Sequence, residues 1–148
     1  MDAGLTGRLI DALYGEAMLL ADEARSWFDA HSREVREQLP PLAQIGLSCE
    51  ALKVTTRLMH VIAWLFDRRA VARGELESGV VRFPPAALAG VADGDADILA
   101  QLPFEALTLI EASRDLYERV SRLAGGIEQA AAAESPARGL FQRLEDAF

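Results

Sequence analysis

Apolar residues recur at helical spacing in three long stretches of this chain, and in the middle stretch they occupy two sides. Leu9, Leu13, Ala17, Leu20, Ala24 and Trp27 follow one another at steps of three and four. That stripe predicts a one-sided helix from about Thr6 to Ala30, with Thr6 as its N-cap. His31–Pro41 is polar and closes on Pro40-Pro41, which predicts a connector with a helical turn at Ser32–Gln38. Pro41 suits the first turn of a second helix, where its missing N–H costs nothing. That helix is expected to run to about Arg73, with Gly74 just past its end. At 100° per residue, Ile45, Cys49, Leu52, Met59, Ala63, Phe66 and Ala70 fall on one side of it. Leu47, Ala51, Val54, Leu58, Val61, Ile62 and Leu65 fall roughly opposite. Glu50, Lys53, Arg57, His60 and Arg68 share the strip between, with Trp64 among them. An ordinary surface helix has one apolar stripe. Two stripes require cover from two directions, by helices of the same chain or by a second subunit.

Residues 75–102 are irregular: Pro84-Pro85, glycines and an Asp cluster interrupt them, with a short helical turn expected at Ala86–Val91. Pro103 opens a third long helix, in which Leu109, Leu116, Val120, Leu123 and Ile127 form a packing seam. Gly125-Gly126 weakens this helix near its end, and Ser135-Pro136 breaks it. Beyond the break, Leu140, Phe141, Leu144 and Phe148 line one side of a short amphipathic segment. It either folds back on the bundle or serves as a linear motif for a partner's groove. Three long helices joined in this way predict an all-α fold, an antiparallel three-helix bundle with a very long central helix. The bundle domain is expected over residues 1–130 and a C-terminal tail over 131–148.

Composition narrows the function. The chain has 148 residues, enough for one domain with a substantial core. A net charge of −8 disfavours nucleic acid and anionic membrane surfaces, which are bound mainly through Lys and Arg. No apolar run reaches the roughly 18–20 residues that span a bilayer, and the first residues lack a signal-peptide core, so a cytoplasmic location is expected. Cys49, the single cysteine, cannot form an internal disulfide and is read as a buried reduced thiol. Fourteen Arg stand against one Lys, Lys53, and there is no Asn, a bias typical of GC-rich coding.

Candidate chemistry is sparse. His31 lies in the first connector, His60 on the polar strip has no nucleophile or paired carboxylate accompanying it, and no motif for hydrolysis or phosphate binding is present. No catalytic residue, cofactor site or metal site is assigned. Asp93-Gly94-Asp95-Ala96-Asp97 opens like a calcium loop, but its sixth position is Ile98 and its twelfth Phe104, where Gly and Glu are needed. Asp95 or Asp97 instead suits the cap of a local turn. Arg57 and Arg69 either bridge to the other two long helices or fix a dimer register or partner contact. Thr55 and Thr56, poor helix formers, are expected to bond back to carbonyls four residues earlier.

The run Thr55-Thr56-Arg57-Leu58-Met59, then Trp64-Leu65, Arg69-Ala70-Val71 and Gly74-Glu75, resembles the signature of the RcdA-like family, small helical proteins of alphaproteobacteria. The likeness continues more loosely through Leu102-Pro103 and Ser113–Leu123. The resemblance implies a helical dimer without enzymatic activity. It implies an adaptor that brings substrates to the ClpXP protease in cell-cycle proteolysis, primed by a receiver-domain protein, with transcription factors as cargo. The signature residues Thr55, Thr56, Arg57, Leu58, Met59, Trp64, Leu65, Arg69, Gly74 and Glu75 are then candidates for a dimer or partner surface. Leu140, Phe141 and Leu144 are candidates for cargo binding. Two other classes remain: a dimeric helical interaction protein unrelated to proteolysis, and a small-molecule-binding helical enzyme, which the lack of convergent polar residues disfavours.

Overall fold

The computed structural model describes residues 3–84, 94–134 and 136–147. Five helices follow one another: α1 (Ala3–Gln38), α2 (Pro41–Ala72), α3 (Ala96–Leu99), α4 (Phe104–Glu134) and α5 (Pro136–Ala147). The long helices α1, α2 and α4 form an up-down-up bundle, with α1 packed most extensively on α2. The all-helical bundle with a long central helix is the architecture the hydrophobic spacing predicts. Its core takes Ile10, Leu13, Ala17, Leu20 and Ala24 from α1 and Leu47, Val54, Leu58, Val61 and Leu65 from α2. Ala106, Leu109, Ile110, Leu116, Tyr117, Val120 and Ala124 complete it from α4. Ala17 and Ala24 are small enough for the α1 and α2 backbones to approach closely.

Two expectations for the first helix need correction. Thr6 lies inside α1, which already begins at Ala3. His31–Gln38 is not a connector but the last turns of the same helix. No residue before Pro40 breaks helical geometry, and Arg, Glu and Gln are good helix formers. The stretch is polar because much of it faces water, while Val35 packs against the core.

The α1–α2 turn is short. Leu39 N–H donates to the Arg36 carbonyl at 3.1 Å, and the Gln44 side chain donates to the Leu39 carbonyl at 2.9 Å. Pro40 is the N-cap of α2 and Pro41 opens it. At its other end Gly74 takes φ +75°, the left-handed conformation that favours glycine. Gly74 N–H reaches the Val71 carbonyl at 3.1 Å and Glu75 N–H the Ala70 carbonyl at 2.9 Å. This pairing is the Schellman motif, and it satisfies carbonyls that the helix end would leave bare.

The link from α2 to α4 includes the single-turn α3, whose N-cap Asp95 accepts from Asp97 N–H at 2.8 Å. A side chain at Gly46 would run into Ile98, so glycine there lets α3 lie against α2. The helical turn expected at Ala86–Val91 lies outside the described residues. Gly125-Gly126 does not end α4, which continues to Glu134. Between α1 and α4, Arg119 bonds both carboxylate oxygens of Glu16, one at 3.0 Å, and Asp115 on its own helix at 2.9 Å.

Candidate functional site

Three lines of residues run along α2, and each meets a different environment. The first, Leu47, Val54, Leu58, Val61 and Leu65, is buried in the bundle core. The second is the strip expected to be polar. It is not a solvent face: Glu50, Arg57, Trp64 and Asp67 are all buried. Glu50, Arg57 and Trp64 recur every seven residues, which keeps them on one line. α4 and the connection that follows α2 cover this line. Arg57 Nη1 donates to Ser113 Oγ of α4 at 3.1 Å, and Ser113 Oγ donates on to the Ile110 carbonyl at 2.8 Å. Trp64 meets Phe83 edge to face, and Phe83 packs on Tyr117 with ring centroids 4.8 Å apart. Tyr117 Oη donates to the Pro84 carbonyl at 3.3 Å, and burial raises its pKa above the usual phenol value. Asp67 accepts from Val80 N–H at 3.0 Å through Oδ1 and at 3.2 Å through Oδ2. Glu50 pairs with Lys53 at 3.2 Å and lies against Gly94. The strip is therefore a trough in which the chain's own connection lies, and its polar groups are the anchors.

The third line is open. Leu42, Ile45, Cys49, Leu52, Met59 and Phe66 face solvent in the single chain. With Thr56 and Ala63 they alternate at steps of three and four through three heptads, the spacing of a helix–helix seam. Cys49 is exposed, so the expectation of a buried thiol is corrected. Met59, 66% exposed, is likewise not a core residue of one chain. On the α1 side this face borders a cleft of about 310 Å³ lined by Ala21, Ala24, Phe28, Val54, Met59 and Ile62 among others.

The signature residues divide between these environments. Leu58, Trp64 and Leu65 are core, and Arg57 is buried on α4. Arg69 Nε donates to Asp11 of α1 at 2.9 Å, and its guanidinium lies 4.3 Å from the Tyr14 ring centre. Both arginines thus tie α2 to another helix of the same chain. Gly74 and Glu75 form the helix stop. Thr55 and Thr56 bond back to the carbonyls of Ala51 and Leu52 at 3.0 and 2.9 Å. Thr55, Met59, Gly74 and Glu75 of the ten are exposed. Sequence reading missed Leu42 and Asp67. Leu42 extends the three-four alternation of the open line by one step, and that repeat was the available signal. Asp67 carried no comparable mark.

Chemistry beyond packing is limited. His60 is half-buried and His31 exposed, with His31 Nδ1 3.1 Å from the Trp27 carbonyl. Among the described residues no three His, Cys, Asp or Glu side chains gather as a metal site. Asp95 uses a carboxylate oxygen as a helix cap. No helix among them is long and apolar enough to cross a membrane. At the far end of the chain, α5 carries Leu140, Phe141 and Leu144 exposed, and its main contact within the molecule is with α4.

Fold and surfaces together define a small helical-bundle protein whose central helix is covered on two sides and open on a third. The chain belongs to the RcdA-like family: the profile described as Protein of unknown function (DUF1465) matches residues 1–148. The crystal structure of RcdA from Caulobacter crescentus CB15 is similar, with 33% identity and a TM-score of 0.59, over 78% of this chain and 87% of that one. A comparison with curated proteins finds no match.

Proposed function

We propose that this protein is a non-enzymatic adaptor that delivers substrates to the ClpXP protease in the bacterial cytoplasm. Its partners are the protease primed by a receiver-domain protein and cargo such as transcription factors. It works as a homodimer built on the open line of α2, with α5 engaging cargo. The observation that carries this reading is the apolar three-heptad line left uncovered on a helix otherwise packed on both flanks. An apolar surface of that extent marks a protein interface. A 3.5-residue repeat suits another helix better than a flat surface. An adaptor needs two recognition surfaces on a rigid body and no chemistry of its own. The bundle provides the body, α2 and α5 the surfaces.

The test is capture on a protease-trapping ClpP variant in cells with and without this protein. Substrates that enter the trap only when the adaptor is present support the reading. An identical set in both strains rejects it.

A further inference from the structure

At one end of the bundle the three long helices leave an apolar groove of about 390 Å³. Ile10 lines it from α1, Val71 and Ala72 from α2, and Gly126, Ile127 and Ala130 from α4. Ala72, Gly126 and Ala130 are small, which leaves room for a side-chain row from another helix. Arg68 also lines it, with an Nε that is buried and has no hydrogen-bond partner among the described residues. A few residues further along the chain, α5 presents an apolar row with nothing on it: Leu140, Phe141 and Leu144 are all exposed. A 12-residue helix is marginal in water without a surface to pack on. Residue and groove are matched in sign as well. Glu145 stands one turn after Phe141 on the same flank, and Asp146 follows it.

We propose that α5 folds back as a fourth helix that closes this groove, and that closure hides the cargo-binding row. Unwinding the last turn of α4, Ala131–Glu134, gives a loop of about five residues, ordinary for an antiparallel helix pair. Leu140 then lies opposite Ala130, and Leu144 opposite Ile127. Glu145 or Asp146 comes within reach of Arg68. Closed and open forms compete for one apolar row, so cargo binding requires release of α5. The regulatory part rests on the proposal that α5 binds cargo; the closure itself does not.

The experiment is amide hydrogen exchange across α5 in the full chain, paired with affinity for a substrate captured on the ClpP trap, for wild type, Ala130→Glu and Ala72→Glu. Both alanines line the groove yet are exposed, so either carboxylate can be carried without breaking the bundle. Closure predicts that α5 amides exchange about tenfold faster in both variants than in wild type. It also predicts that trypsin cuts faster after Arg143 in both. Tighter cargo binding by the variants then supports autoinhibition. Faster exchange with unchanged affinity supports closure and instead rejects α5 as the cargo site. Equal exchange in all three proteins overturns closure, as does protection in wild type that rises with protein concentration, which would place α5 on a second copy.

Discussion

Arg57 bridges to another long helix of its own chain, one of the two roles its position in the sequence offers, and it does so from the core. In a strip with Glu50, Lys53 and His60, it reads either as a bridge to another long helix or as a dimer or partner contact. In the fold it is 1% exposed and ends on Ser113 of α4. Burying a guanidinium is costly unless its donors are used. Ser113→Ala removes an acceptor from that buried charge and is expected to cost about 1–3 kcal/mol in chemical denaturation. Leu65 and Met59 provide a contrast at the same scale. Leu65→Ala empties core volume and should cost about 2–5 kcal/mol at any protein concentration. Met59→Ala should leave the stability of one chain nearly unchanged and act only where chains associate, so its effect must vary with concentration. A concentration-independent loss for Met59→Ala would place it in the core. Tyr117 gives a pH signature. Its folded pKa is raised by burial, so folding favours the neutral phenol. That contribution is complete below the ordinary phenol pKa of about 10 and is lost as pH rises through the higher folded value. Stability should therefore fall above about pH 10, and less so in Tyr117→Phe.

At the scale of elements, much was legible because the signals were local. Pro41, Gly74 and Pro103 mark helix ends in the sequence, and α2 and α4 begin or stop within two residues of them. Gly74→Ala should cost about 1–2 kcal/mol, because alanine resists the left-handed conformation there. Thermal unfolding would measure it, and a neutral result would mean the helix end is free to rearrange. What was not legible depended on tertiary context. The polarity of His31–Gln38 reported exposure, not loss of helix. The strip of Glu50, Arg57 and Trp64 could not reveal that a connection many residues later would lie on it, through Val80, Phe83 and Gly94. The open line was visible as a pattern, but periodicity alone does not say whether a stripe is covered by its own chain. Of the residues suggested by the family signature, most turned out to hold the bundle together. A signature tight around Arg57, Trp64 and Gly74 therefore explains a shared fold better than a shared binding face.

At the scale of the whole molecule, the faces of α2 that fold the chain are distinct from the face left exposed. The trough and the core consume two sides of α2, and only the third is free to act. Among the described residues no element covers it, and α5 makes its main contact with α4. The proposed dimer, with a second copy on that line, would be a two-fold body presenting α5 twice. On the proposal that α5 engages cargo, two copies on one body raise effective concentration at a shared partner. The most direct measurement is light scattering on the full chain at micromolar concentration, beside Met59→Glu with its helix content checked by circular dichroism. The account predicts that wild type has twice the 16.1 kDa mass of one chain, while the variant has a single-chain mass and unchanged helicity. A wild-type mass of 16.1 kDa, or a Met59→Glu variant that remains a dimer, would contradict it.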